Sequence, residues 1–206
     1  MARASRRNEL LDAALAEWAS RGYAAIGVKE ITARAEVSHG TFYNYFENRR
    51  QMLDVLIQRE MADYLEILSA SARDIARPVT DDSLHAEITR VSSEILRRAL
   101  RETDDLAFIL LDVAGIDDDA LQGQIELFRD AGRRAQTILA SAVADGVIDE
   151  SVSLEFAGQA WISAILGLLA PVVADGRDLG DIDSVARVLA DALLHGVPVP
   201  VPDDAA

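Results

Sequence analysis

Apolar residues recur at three- and four-residue spacing along almost the whole chain, a period that suits one face of a helix and not the alternation of a strand. Leu10, Leu11, Ala14, Leu15 and Trp18 form one such stripe, and Leu53, Leu56, Ile57, Met61, Tyr64, Leu65 and Leu68 form a longer one. No convincing strand pattern stands out. Thirty-four alanines against 12 glycines and 5 prolines, with aromatics at 5%, add helix propensity to the periodicity. The expected fold class is all-α. The 206 residues, 50% of them hydrophobic, suffice for a core and sit near the boundary between one domain and two. The absence of cysteine excludes disulfides, thiolate zinc sites, iron–sulfur clusters and a cysteine nucleophile.

Local punctuation divides the stripes into elements. Gly22 stops a first helix over residues 6–21, as a residue tolerant of the left-handed conformation should. Gly27, with Glu30 three residues on and Ile26 placed to pack against Ile31, starts a second at 28–35. Ser38 is a good N-cap for a short third helix at 39–45, with Val37 and Phe42 in the same staple positions. Asn48, followed three residues later by Gln51, caps a long fourth helix that begins at Arg49 and ends before Pro78. Polar and glycine clusters such as Asp117-Asp118-Asp119 and Asp145-Gly146 separate further helices at 83–101, 106–114, 119–144, 154–174 and 182–194. The ending VPVPVPDDAA alternates proline and is expected to be an extended or flexible tail. The expected division is a domain at 1–50, a larger helical domain at 51–196 and the tail at 197–206.

A net charge of -15 taken globally argues against nucleic acid, because binding to phosphates is driven by cations. The charge is uneven, however. Residues 1–50 carry eight Arg/Lys and six Asp/Glu, which is +2, and the remaining 156 residues therefore carry -17. Within that basic segment, the two short helices joined by Ala35-Glu36-Val37-Ser38 have the dimensions of a helix-turn-helix, whose first helix braces the second in a major groove. Ile31, Ala35, Val37, Phe42 and Phe46 supply the packing side. His39, Gly40, Thr41, Tyr43, Asn44 and Tyr45 are left for the outside, polar or amphipathic and uncharged, where a merely solvated face would carry Lys and Glu.

Residues 22–53 closely resemble the DNA-binding region of the TetR family of transcriptional regulators. The likeness is carried by the Gly-Tyr after the first helix, the Val-Lys-Glu-Ile start of the second, the segment Val-Ser-x-Gly-Thr-Phe-Tyr-x-Tyr-Phe, and a basic residue three places after Phe46. It implies that His39 and Thr41 lie against base edges, with Asn44 one turn further as a second reader. Tyr43 and Tyr45 would pack on the sugar-phosphate backbone, and Lys29 would reach phosphate or a groove edge. Arg49 would bind phosphate where the dipole of the fourth helix already favours an anion. Ser38 and Gly40 complete the expected DNA-contacting set. Two positions depart from the family pattern: Gly27 replaces a capping hydroxyl residue, and Glu36 replaces a turn glycine at a cost of about 1 kcal/mol if its backbone is left-handed. Arg6 and Arg7 are either ordinary surface charge or further backbone contacts.

The acidic remainder holds no Gly-rich phosphate loop, no metal-ligand spacing and no nucleophile–base arrangement, so neither catalysis nor a cofactor is expected. Residues 156–174 run without a charge and reach membrane-spanning length, but Glu155 and Asp175 flank them and Gln159, Ser163 and Pro171 interrupt them. A helix buried on all sides, in a core or subunit interface, is expected instead. The N-terminus lacks the form of a secretory signal, so a cytoplasmic protein without a membrane partner is expected. The resemblance implies a homodimer through the last two helices, with Trp161, Ile165, Leu168, Val172, Val185, Val188, Leu189 and Ala192 as contacts. It also implies a pocket for an unidentified small-molecule effector, for which Phe108, Leu111, Phe128, Gln136 and Trp161 are the candidates, core packing being the alternative. The expected function is a repressor bound to a palindromic double-stranded DNA operator and released by a small molecule. Its rivals are a regulator of the same fold without such an inducer, and a helical enzyme or interaction module.

Overall fold

After the first, each long helix begins where a side chain can close its opening turn. Asn48 accepts from the Gln51 amide at 2.9 Å, Thr80 from Ser83 at 3.2 Å, Asp117 from Ala120 at 2.8 Å, Ser153 from Phe156 at 3.4 Å and Asp181 from Ser184 at 3.2 Å. The computed structural model describes residues 2–196, with side chains from residue 5 onward, and contains no strand among them. The expected tail at 197–206 and the Arg3 side chain lie outside the described residues. The helices are α1 (Ala2–Arg21), α2 (Val28–Arg34), α3 (His39–Tyr43), α4 (Arg49–Asp74), α5 (Asp81–Arg101), α6 (Thr103–Ala107), α7 (Asp118–Ala144), α8 (Leu154–Asp175) and α9 (Ile182–His195).

Two elements differ from expectation for a visible reason. The third helix ends at Tyr43 rather than residue 45, because the Asn44 and Tyr45 amides turn back to the carbonyls of Thr41 and Phe42, three residues away, and tighten the last turn. The single helix expected at 106–114 is broken into α6, a π-helical turn at Phe108–Asp112 and a 3₁₀ turn at Val113–Gly115. The Gln124 amide, on α7, donates to the carbonyls of Ile109 and Leu110 at 3.0 and 3.1 Å and so satisfies acceptors within the wider turn.

The first three helices form a head against the start of α4, and α4, α5, α7 and α8 form a body with α9 laid on α5. One continuous apolar core runs through both, from Leu10 to Ala190. Trp18 of α1 is fully buried, and its ring stacks 6.1 Å from that of Phe108 in the π turn. Along α8 the inward face is Gly158, Trp161, Ile162, Ile165, Leu169 and Val172. A third of its apolar stretch is buried within the chain, which itself covers one face of the helix.

The α7–α8 crossing rests on two glycines. A Cβ on Gly158 would lie 2.5 Å from the Gly132 carbonyl oxygen and 2.7 Å from the Gln136 amide, both backbone atoms, whereas one on Gly132 would meet chiefly the mobile end of Gln159 at 2.4 Å. Gly158→Ala is therefore expected to destabilise by about 1–3 kcal/mol. Thermal melts should show it losing about 2–4 °C per kcal/mol, and Gly132→Ala losing clearly less.

Candidate nucleic-acid interface

The turn between α2 and α3 is closed by backbone bonds from Glu36 N to Ala33 O at 3.3 Å and from Val37 N to Thr32 O at 3.0 Å. This is the hydrogen-bond pattern that ends a helix through a left-handed residue. That residue is Glu36, at φ 53°, the only non-glycine with positive φ among the described residues. A carboxylate thus occupies a position suited to glycine and adds a negative charge beside the exposed face. Ser38 then caps α3, accepting from the Thr41 amide at 3.2 Å, while its hydroxyl and that of Thr41 share a hydrogen bond of 2.8 Å.

Phe42 and Phe46 are buried and turn the other residues of the segment outward. His39, Gly40 and Asn44 are exposed, as is Tyr43 at 54%, and the rings of His39 and Tyr43 meet edge-on at 5.4 Å. The face therefore presents an imidazole, a carboxamide and a phenol, all of which can reach a base edge or a phosphate oxygen. Thr41 and Tyr45 are half-buried, and Tyr45 packs against the core, so the two tyrosines are not equivalent. Lys29, in the first turn of α2, is exposed and forms no ion pair among the described residues.

Arg49 does something other than expected. Its guanidinium donates to the carbonyl of Tyr23 at 2.8 Å and to that of Ile26, and lies 4.1 Å from the centroid of the Tyr23 ring. The 3₁₀ turn at Tyr23–Ala25 leaves carbonyls that the planar fork can bond together, so this side chain latches the head to α4 instead of reaching outward. Its neighbour Arg50 is likewise engaged, with Asp54 at 3.1 Å and with Asp117, the cap of α7. Sequence reasoning leaves Arg6 and Arg7 equal; Arg6 is paired with Glu9 at 2.6 Å, whereas Arg7 lies over the Phe46 ring at 5.5 Å, beside the recognition segment.

The expected pocket and interface residues scatter. The central cavity, about 70 Å³, is walled by Tyr64 and Leu65 of α4, Leu106 and Leu110 around the π turn, Phe128 of α7 and Ile165 of α8, among other apolar groups. Of the expected lining residues Phe128 alone belongs to it. Phe108 faces Trp18, Leu111 is 46% exposed, Gln136 sits at the α7–α8 crossing, and Trp161 donates to the Ser92 hydroxyl at 2.9 Å. Ile165 lines this cavity although it was expected at a subunit contact. Trp161, Ile165, Val172 and Leu189 are buried within the chain itself. Leu168, Val185, Val188 and Ala192 keep exposed surface, and Phe156, 75% exposed, joins them unforeseen.

Residues 10–56 match the family described as bacterial regulatory proteins, tetR family. The match lies in the head and the start of α4. Among relatives, the chain is 33% identical over 78 residues to the HTH-type transcriptional repressor DhaR of Mycobacterium sp. (strain GP1), covering 38% of this chain and 39% of that one. It is 38% identical over 71 residues to the HTH-type transcriptional repressor KstR2 of Mycobacterium tuberculosis, covering 34% of each. The chain thus spans under two-fifths of these relatives' length, and both are repressors rather than enzymes. Its whole fold is similar to FadR of Bacillus subtilis in complex with stearoyl-CoA, with TM-score 0.77 and 21% identity over 92% of this chain and 98% of that one. It is also similar to SmeT, the Stenotrophomonas maltophilia repressor, in its triclosan complex, with TM-score 0.75 and 24% identity over 97% of this chain and 100% of that one.

Two outcomes test the geometry of the head. Arg49→Ala strands two carbonyls and is expected to destabilise the free protein by about 1–3 kcal/mol, read in a melt without DNA; a residue serving phosphate alone would leave that melt unchanged. Glu36→Gly relieves the left-handed strain, offset in part by glycine's unfolded-state entropy, and is expected to stabilise by up to about 1 kcal/mol. Removing its charge is expected to tighten DNA binding in a gel-shift titration.

Proposed function

We propose that the chain is a homodimeric repressor that binds a palindromic double-stranded DNA operator in the cytoplasm and is released by a small molecule. The observation that carries this reading is the outward face of α3: exposed, uncharged and base-competent, with Arg7 over the Phe46 ring next to it and Lys29 exposed on the first turn of α2. His39, Tyr43 and Asn44 are assigned to base edges and phosphate, Thr41 to a contact through its methyl group, and Ser38 and Gly40 to close backbone approach. The head of residues 1–50 reads DNA, and the body of 51–196 carries the dimer contacts and effector cavity. Exposed apolar surface at Phe156, Leu168, Val185, Val188 and Ala192 supports a two-fold pairing through α8 and α9. Two such heads would meet successive major grooves.

Release follows from how the cavity is walled. Leu106 and Leu110 face it, and Phe108 between them stacks on Trp18 of the head, so an occupant that displaces this wall moves the head as well. The bridge from Arg50 to Asp117 ties the start of α4 to the start of α7 and offers a second route. An effector acts only by preferring one of the two head positions. The complexes of FadR with stearoyl-CoA and of SmeT with triclosan support a ligand for this fold with a large apolar part.

Selection of bound sequences from random duplex DNA is expected to yield a palindrome. On that site, Lys29→Gln should weaken binding and flatten the dependence of log K on log salt by about 0.9 for each phosphate no longer neutralised, hence about 2 for a dimer. Unselective recovery of DNA, or an unchanged slope together with unchanged affinity for the Tyr43→Ala protein, would end the reading.

A further inference from the structure

A second cavity lies at the far end of the body from the head, where α5 and α8 begin and α7 and α9 end. It is larger than the central one, about 230 Å³, and differs from it in chemistry. Ile88, Leu139 and Trp161 form its buried apolar floor, with Val147 and Leu193 half-buried beside them and the exposed residues Asp81 and Asp149 completing the lining. Apolar cavities of about 150 Å³ hold a benzene ring, so this one has room for a ring and a short chain. Val152, 43% exposed, leaves further apolar surface at the rim for an occupant to cover.

Neither carboxylate is paired with an arginine or lysine among the described residues. Thr80, not Asp81, caps α5. The Asp81 carboxylate has the His195 ring nitrogen 3.9 Å away, a partner charged only when protonated. Asp149 is exposed and is bonded by the Ser151 hydroxyl and by its amide, the latter at 2.8 Å, and these bonds hold its carboxyl below the usual range. Two negative groups over an apolar floor, on a protein of net charge -15, attract a cation with a greasy body and reject an anion.

We propose that this cavity binds an amphipathic organic amine, its ring or alkyl part against Ile88 and Leu139 and its ammonium group between Asp81 and Asp149. The site is separate from the central cavity and does not rest on its being an effector site.

The test compares three molecules of nearly one shape on the full chain: 2-phenylethylamine, 2-phenylethanol and phenylacetate, by calorimetric titration and by tryptophan fluorescence, since Trp161 belongs to the floor. The amine is expected to bind about tenfold more tightly than the alcohol at low salt, which is what two partly screened ion pairs supply, and phenylacetate least. Salt should erode the amine's advantage and spare the alcohol. The double variant Asp81→Asn/Asp149→Asn should bind the amine no better than the alcohol, with alcohol affinity unchanged. Phenylacetate binding as well as the amine, a double variant that keeps the preference, or no binding by any of the three would overturn the proposal. Operator binding by the same preparations reports separately on the DNA reading, and confirms that the double variant is folded.

Discussion

The stacking of Trp18 on Phe108 is the contact on which the arrangement of this protein depends. A head of some fifty residues buries too little apolar surface to stand securely alone. Here the deficit is met from outside: Met52, Leu53 and Leu56 of α4 close one side of its core and Phe108 of the π turn extends another. The head's position is consequently set by the body, and any change that moves the π turn acts on a core and not on a flexible tether. Cores repack between discrete arrangements and resist continuous deformation, so such a change would move the head in a step.

Much of this is legible in the chain because it is local. Caps at Ser38 and Asn48 and the buried pair Ile26 and Ile31 depend on residues a few places apart and appear where the spacing puts them, while the left-handed Glu36 stands where the resemblance puts a turn glycine. The outward residues of α3 follow from the same logic, since Phe42 and Phe46 fix its phase. Arg49 escapes a sequence reading because its partners, the Tyr23 and Ile26 carbonyls, lie 26 and 23 residues earlier and come within reach only through tertiary packing.

The phase of α8 is hidden for a different reason. A helix with apolar or small residues all round has no polar face to orient it, so Trp161 and Ile165 look as available as Leu168. Only the neighbours α5 and α7 decide, and they take the former pair. The π turn is equally hidden, because nothing in residues 106–114 announces an altered hydrogen-bond step; Gln124, the side chain that accommodates it, lies on the following helix. Cavities arise from several such placements at once, which is why Phe128 alone of the expected lining residues reaches the central one.

Lys29 brings one more consequence. The chain holds nineteen arginines and this single lysine, exposed on the first turn of α2. Reagents that attack side-chain amines, from formaldehyde to activated esters, therefore find their one such target on the head. Modification of side-chain amines in this protein is concentrated by composition alone on the first turn of α2.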